Sequence, residues 1–294
     1  MKKQIEILSL GGGVQSSTLA LMAAKGEVTP MPVAAVFADT GDEPPNVYKW
    51  LEWLTPLLPF PVITERKDQS LSEHIFSGIK NKKRASNPPL FTKPENAVKS
   101  EGILTRDCTV DFKVGVIRRA VRRLMKEHGV KTVVQWIGIS LDETVRMKPS
   151  RVKYSTHRWP LIDMRMSRHD CFRWMEKNGY PKPPRSACVY CPHHNNKEWR
   201  RLRDEEPEAW NQAVEFDKKI RTGIHKVKAE CFVHRDCKPL DEAYFGAMNV
   251  KECAEYNQNI KLPNYDKTRN TRQMPRGIQR GIAILHRRNR NASQ

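Results

Sequence analysis

The first part of the chain has a pattern of apolar and polar positions that predicts a strand, a tight turn and a helix. Apolar Ile5, Ile7 and Leu8 lead into three consecutive glycines at positions 11–13. Short polar residues follow, and then an apolar run, LALMAA, at positions 19–24. The first run has the length of a buried strand and the second has helical character, with the glycines supplying the turn between them.

Strand-like apolar runs alternate with helical segments over much of the remaining chain. This alternation predicts an α/β fold, with a doubly wound, mostly parallel sheet covered by helices on both faces and a helical, cysteine-containing C-terminal part. The further predicted strands are 31–38, 60–64 and 133–139, and the predicted helices are 46–54, 71–79, 113–128 and one that begins near residue 167.

The glycine turn has the features of an anion-binding loop. Glycine has no Cβ, so backbone N–H groups can approach a phosphate closely. The N-terminus of the following helix adds unpaired N–H groups and the positive end of its dipole. Ser16, Ser17 and Thr18 add hydroxyl donors. A purely structural turn is the alternative, because neither the Walker A ending nor the Rossmann glycine spacing is present.

Polar residues follow two of the other predicted strands. Asp39 and Thr40 come directly after the second strand, and the stretch 138–146 follows the last one. In an open α/β sheet, ligands bind outside the carboxyl ends of the strands, so we expect these residues beside the glycine turn. Asp39 could accept from a ribose hydroxyl or hold Mg²⁺ through water, with a helix N-cap as the alternative.

The composition adds a strong positive charge. The chain has 52 Lys and Arg against 33 Asp and Glu, a net charge of +19 and a pI of about 9.8. Such an excess favours a polyanionic partner, of which nucleic acid is the commonest, while a generally solvated basic surface is the alternative. The basic runs are 80–84, 118–123, 200–203 and 276–290.

The sequence indicates no membrane partner. No stretch approaches the roughly 18 apolar residues of a membrane span, and the N-terminal apolar run is too short for a signal peptide. We therefore expect an intracellular, cytoplasmic protein, in which seven cysteines favour metal binding or catalysis over disulfides. Residues 256–294 are polar and basic, and we expect them to be loosely ordered until they meet a partner.

Cys188 and Cys191 form a C-x-x-C motif in a proline-rich stretch that continues with Pro192. A loop held by prolines is rigid, which suits a metal better than a flexible dithiol. The residues leave three uses open. These are an iron–sulfur cluster, a zinc site in which His193 or His194 could replace a cysteine, and a redox pair without metal.

Four signals that occur in order along the chain carry a resemblance to a known family. They are the glycine turn, Asp39-Thr40-Gly41, Arg106-x-Cys108-Thr109-x-x-x-Lys113 and Gly138-x-Ser140-x-Asp142-Glu143-x-x-Arg146. Over about residues 1–200 they resemble the phosphoadenosine-phosphosulfate (PAPS) reductase family of the PP-loop N-type ATP pyrophosphatases, near its iron–sulfur sulfurtransferase-like members. Val14 and Gln15 stand where the usual loop, Ser-Gly-Gly-Lys-Asp-Ser, has its lysine and aspartate, which puts the charge contacts of those residues in doubt.

The resemblance implies an adenine nucleotide alpha hydrolase-like fold that binds ATP or PAPS with Mg²⁺. It implies a nucleotide-binding domain over 1–165, a helical region with the cysteine cluster over 166–255 and a basic tail over 256–294. Asp142 and Arg146 would close the site and, with Cys108, take part in catalysis. The implied nucleotide contacts are Gly11, Gly12, Gly13, Gln15, Ser16, Ser17, Asp39, Thr40 and Gly138.

The cysteines also resemble those of iron–sulfur adenylylsulfate reductases. The spacing from Cys108 to the C-x-x-C is similar, but Asp107 replaces the first cysteine of their Cys-Cys pair. We expect Cys171 to take its place. The implied ligands of a [4Fe–4S] cluster are then Cys108, Cys171, Cys188 and Cys191, with zinc as the alternative metal.

Three functions account for these features to different degrees. ATP-dependent sulfur transfer to tRNA or DNA, by thiolation or phosphorothioation through adenylation, uses the loop, the cysteines and the charge, and it is the function we expect. Sulfur transfer of this kind is compatible with a separate sulfur-donor protein and with a homodimer. Reduction of PAPS or adenylylsulfate to sulfite needs a catalytic thiol at Cys231, where Phe232 replaces the glycine of the reductase motif. A non-catalytic nucleic-acid-binding module is favoured by the uncharged Val14 and Gln15.

Overall fold

A computed structural model of the chain describes residues 4–97 and 102–246. Its strands are β1 (Gln4–Leu10), β2 (Ala34–Asp39), β3 (Val62–Arg66), β4 (Phe91–Lys93), β5 (Gly102–Ile103), β6 (Thr132–Ile137), β7 (Ser155–Arg158) and β8 (Glu230–Phe232). Its α-helices are α1 (Val14–Ala24), α2 (Pro45–Leu54), α3 (Leu71–Lys80), α4 (Gly115–Glu127), α5 (Pro160–Asp163), α6 (Arg168–Lys177), α7 (Asn196–Glu205) and α8 (Pro207–Lys219).

The central sheet has five parallel strands in the order β3-β2-β1-β6-β7. The strand order reverses at β1, which pairs with β2 on one side and β6 on the other. The predicted α/β class with a mostly parallel sheet is confirmed. The edge strand β7 of this sheet was not predicted, and neither was a π-helical segment, Thr109–Val114, that precedes α4.

Helices cover both faces of this sheet. In β1, Leu8 and Leu10 belong to a core with α1, α2 and α6, while Ile5 and Ile7 belong to a core with α4. The alternation follows from the strand repeat of two residues, which sends neighbouring side chains to opposite faces. Burial on both faces explains why β2, in the middle of this half of the sheet, is apolar from Ala34 to Ala38.

A third core lies outside the sheet and joins α3, α7, α8 and the loop that carries Cys188 and Cys191, which is called the cysteine loop below. A small antiparallel sheet, in the order β5-β4-β8, borders it. Asp217 of α8 is fully buried and accepts from the backbone N–H groups of Val233 (2.9 Å) and Leu240 (3.2 Å), which fixes the segment after β8.

By its internal contacts the chain groups into the units Met1–Phe245 and Gly246–Gln294. The predicted basic tail, 256–294, lies outside the described residues, and the domain bounds at 165 and 255 stay predictions. Within the described part of the chain, no helix has the length and apolar character needed to cross a membrane.

Candidate functional site

The glycine turn lies at the carboxyl end of β1, where the strand order reverses. Gly12 has a φ of +73°, and a Cβ there would lie 3.4 Å from Val47 Cγ1, so only glycine fits without strain. The N–H of Gly11 donates to Ser16 Oγ (3.0 Å), and the Ser16 hydroxyl donates to the Gly13 carbonyl (3.3 Å). Gly13 is the N-cap of α1, and no side chain caps this end of the helix. The N-terminal N–H groups of α1 therefore suit an anionic ligand.

The other two hydroxyl residues after the turn lie in the core. Ser17 is fully buried, and its oxygen accepts from the indole N–H of Trp50 at 2.9 Å. Thr18 is fully buried and donates to the carbonyl of Cys171 at 3.5 Å. The structure thus places Ser17, one of the predicted phosphate contacts, against α2, while Ser16 lies in the turn.

Asp39 ends β2 at the same edge of the sheet. Its Oδ1 accepts from the backbone N–H of Gly41 and the hydroxyl of Tyr48, each at 2.8 Å. Burial raises the pKa of Tyr48 well above its usual value, and the hydrogen bond to Asp39 raises it further. Tyr48 therefore stays protonated and holds the Asp39 carboxylate in place beside the turn.

The end of β6 touches the start of α1. A Cβ at Gly138 would lie 3.0 Å from the backbone N and Cα of Ser16, so a glycine at 138 permits this approach. Gln15 Nε2 donates to Ser140 Oγ (3.3 Å) and Glu143 Oε2 (3.1 Å). The structure therefore brings Gly138 and Gln15 together, as links between the turn and the residues after β6.

Asp142 and Arg146, predicted to close the site, are both held by neighbours. Asp142 Oδ1 accepts from the backbone N–H of Arg168, the first residue of α6, at 2.7 Å. Burial acts to raise the pKa of Asp142, but hydrogen bonds from Arg168 and Ser140 outweigh it and lower the pKa. Arg146 Nη1 donates to Glu143 Oε2 at 2.7 Å. Asp142 thus positions α6, and Glu143 balances the charge of Arg146.

Three of the predicted cysteines are close enough to interact electrostatically. Cys108, Cys188 and Cys191 all raise the pKa of Lys113, although the carboxylate of Glu43 has the largest effect on it. Burial raises the pKa of each thiol, and the charge of Lys113 opposes that rise. The three side chains are therefore neutral thiols near pH 7.

Glu43 is a buried carboxylate between these thiols and β2. Its Oε1 lies 3.5 Å from Lys113 Nζ, 3.3 Å from Thr40 Oγ1 and 4.0 Å from Cys188 Sγ. Its Oε2 has no hydrogen-bond partner among the described residues. Sequence reasoning gave Glu43 no role, although it lies only four positions after Asp39, in Asp-Thr-Gly-Asp-Glu.

The cysteine loop packs directly on the loop that follows β2 and lies beside the glycine turn. The backbone N–H of Val189 donates to the Asp42 carbonyl (2.8 Å), and the Tyr190 hydroxyl donates to the Asp42 carboxylate (2.7 Å). Ser186 Oγ lies 3.7 Å from the Cβ position of Gly12. The glycine turn and the C-x-x-C segment therefore share one wall of the site.

Cys171 lies apart from the other three thiols. It is fully buried between α1 and α6, burial raises its pKa to about 12, and the charges that act on it are those of Asp142, Asp170 and Arg168. Within residues 4–97 and 102–246, no group of three or more His, Cys, Asp or Glu side chains is arranged to hold a metal ion. The four-cysteine cluster therefore stays a prediction, and Cys171 is the member whose burial in the core with α1 separates its surroundings from those of the other three.

His194, one of the zinc alternatives, is also buried. Its Nε2 lies 3.0 Å from the carbonyl of Cys188, so this nitrogen carries the proton and donates. Burial lowers the pKa of His194 to about 4, which keeps the ring neutral at pH 7. The ring packs edge-on against Trp199, with centroids 4.7 Å apart, and its Nδ1 has no partner among the described residues.

Cys231, the thiol that a reductase would need, is a core residue. It is fully buried in β8, and its Sγ lies 3.9 Å from the carbonyl of Ala229. Burial raises its pKa to about 11. A buried thiol that stays protonated near pH 7 is a poor nucleophile, because the thiolate is the reactive form.

Some arginines of the basic runs form ion pairs with acidic residues of the same chain. Arg123 pairs with Glu65, and Arg201 pairs with Glu198 at 2.8 Å. The run 276–290 lies outside the described residues. The excess charge still characterises the whole sequence, and the nucleic-acid partner stays a prediction.

No protein-family model and no curated protein matches the chain. Solved structures that match include PAPS reductase from Candida auris, in its phosphate complex, with 15% identity and a TM-score of 0.37; the match covers 62% of this chain and 76% of that one. They also include the U34-tRNA thiolase NcsA from Methanococcus maripaludis with its [4Fe-4S] cluster, with 13% identity and a TM-score of 0.39, covering 83% and 79%. Both names fall in the classes that the sequence motifs resemble, but at these values neither match carries an argument about activity.

Proposed function

We propose that the protein uses ATP to activate a nucleic acid and then transfers sulfur to it. The observation that carries this proposal is the shared wall between the glycine turn and the cysteine loop, where Ser186 Oγ lies 3.7 Å from the Cβ position of Gly12. A nucleotide held by the turn would lie beside the segment that carries Cys188 and Cys191. Activation and sulfur delivery then take place in one site.

The reaction at a base carbonyl has two displacements. The carbonyl oxygen attacks the α-phosphorus of ATP, and pyrophosphate leaves. Hydrosulfide then attacks the carbon of that carbonyl and loses its proton, and AMP leaves with the oxygen, so that a C=S group replaces the C=O group. The turn and the N-terminus of α1 would hold the phosphates, and Mg²⁺ would neutralise their developing charge.

The net charge of +19 supports a polymeric substrate. A small anion needs a few positive groups in one pocket, whereas a nucleic acid releases counterions from many phosphates. Binding should therefore weaken steeply with salt, by close to one unit of log–log slope per neutralised phosphate. The metal prediction is separate: iron, sulfide and zinc analysis of protein purified without oxygen tests whether Cys108, Cys188 and Cys191 bind a metal.

Reduction of PAPS is the second candidate, since it would use the same nucleotide site. The buried, protonated Cys231 disfavours it, because this is the thiol whose surrounding sequence resembles the reductase motif. A non-catalytic nucleic-acid-binding module would show binding without turnover.

The test is release of pyrophosphate and AMP from ATP in the presence of tRNA or duplex DNA and sulfide. Gly12→Ala should abolish release, because it places a Cβ at a positive φ inside the turn. Gly129→Ala is the matched control, since Gly129 has a φ of +63° and nothing lies within 4 Å of its Cβ position. Sulfite production from PAPS, without polymer-dependent release of pyrophosphate, would contradict the proposal.

A further inference from the structure

The glycine turn has no charge of its own to balance a polyphosphate. Residues 11–24 include no charged side chain, and Val14 and Gln15 occupy the two positions at which a PP-loop is usually charged. The dipole of α1 supplies only about half a unit charge at its N-terminus. The positive charge must therefore come from another part of the fold.

The structure brings one guanidinium to the turn. Nη1 of Arg168 donates to Gln15 Oε1 at 3.3 Å, and Gln15 is the second residue of α1. The backbone N–H of Arg168 is fixed by Asp142 at 2.7 Å, and its guanidinium carbon lies 5.7 Å from the ring centre of Phe172. Both ends of Arg168 are therefore held near the N-terminus of α1.

The charge of Arg168 contributes to the lowered pKa of Asp142, so one carboxylate lies within electrostatic range. Within the part of the chain that the structure describes, however, the guanidinium forms no ion pair, and its hydrogen-bond partner is the neutral amide of Gln15. By contrast, Arg146 pairs with Glu143, and Arg173 on the same helix pairs with Asp170. A guanidinium has five N–H donors in a fork that matches phosphate oxygens, so most donors of Arg168 remain for a ligand.

We propose that Arg168 is a phosphate-binding residue of this site and that Gln15 positions it. The inference rests on the proposed nucleotide site and adds the source of its charge. The amide of Gln15 donates to Ser140 and Glu143 and accepts from Arg168, so it links both sides of the turn. A carboxylate at position 15 would neutralise Arg168, and an ammonium would repel it. The neutral glutamine leaves the charge of Arg168 available to the polyphosphate chain of ATP.

Titration calorimetry with ATP, AMP and adenosine tests this role. Arg168→Gln should weaken ATP binding by about 10- to 100-fold, the loss typical of hydrogen bonds to a charged group, while adenosine affinity changes less than about twofold. Arg173→Gln is the matched control, because Arg173 is exposed on the same helix, and it should leave both affinities unchanged. AMP, with one phosphate, should show a smaller loss than ATP.

Gln15→Glu provides a second variant in which Arg168 itself is kept. It places a carboxylate against the guanidinium, so ATP binding should weaken while the thermal unfolding midpoint shows that the protein remains folded. Unchanged ATP affinity in folded Arg168→Gln protein, or an equal loss for ATP and adenosine, would overturn the role of Arg168 and leave the nucleotide site standing. Failure of the unsubstituted protein to bind either ligand would overturn the nucleotide site and the role of Arg168 together.

Discussion

Gly138→Ala tests whether the close approach of β6 to α1 shapes the glycine turn. The added Cβ would lie 3.0 Å from the backbone N and Cα of Ser16, several tenths of an ångström inside ordinary contact. These neighbours are backbone atoms, so they can yield only if the start of α1 moves. Overpacking of this kind typically costs about 1–3 kcal/mol, and we expect the free energy of unfolding to fall by that amount.

Gly11→Ala is the control for this substitution. Its Cβ would meet Ser16 Oγ at 3.6 Å, which is ordinary contact, so stability should change by less than about 0.5 kcal/mol. Urea unfolding followed by tryptophan fluorescence compares the two variants, with Trp136 of β6 fully buried nearby. If Gly138→Ala unfolds at the same urea concentration as the unsubstituted protein, the approach of β6 to α1 does not constrain the turn.

Three other results are expected. Lys113→Met should cost about 2–4 kcal/mol of unfolding free energy, because it leaves the buried Glu43 carboxylate without its cation; the lysine side chain is 34% exposed, which reduces the loss. The double variant Lys113→Met/Glu43→Gln should regain part of this free energy of unfolding, as measured by urea unfolding. The pKa of His194 is lowered to about 4, so its contribution to stability is complete above about pH 6.5 and is lost as the pH falls towards 4. In urea unfolding, the free energy of unfolding of the unsubstituted protein should fall by roughly 3 kcal/mol more between pH 7 and pH 4 than that of His194→Gln. In the native protein, Cys231 should resist iodoacetamide at pH 8 while the half-buried Cys108 reacts. Equal labelling of these two cysteines would refute the burial of Cys231.

Strands β1, β2, β3 and β6 of the main sheet were predictable because each contains a short apolar run, whereas the edge strand β7, Ser-Thr-His-Arg, contains none. The run at 133–139 predicted β6, and the polar residues that follow it lie beside the turn, as expected. The small sheet of β4, β5 and β8 was not predicted, because strands of two or three residues carry too little pattern. In addition, the pairing of β4 with β8 joins residues more than 100 positions apart.

The direction of a side chain at the site was harder to predict than its position. Ser17 follows the turn as Ser16 does, but it faces Trp50, a contact across 33 residues. The structure brings Cys108 near the C-x-x-C, whereas Cys171 belongs to the core between α1 and α6. Arg168 was not predicted from the sequence as a site residue, because its proposed role depends on a contact with Gln15, which lies 153 positions earlier. Such contacts arise only when the helices pack.

The most direct test of sulfur transfer is incorporation of ³⁵S from labelled sulfide into nucleic acid, measured against AMP formed in the same reaction. The account predicts ATP-dependent label in tRNA or DNA, with one sulfur incorporated per AMP, and loss of both in Gly12→Ala but not in Gly129→Ala. Robust formation of sulfite from PAPS, with no label in either polymer, would contradict it.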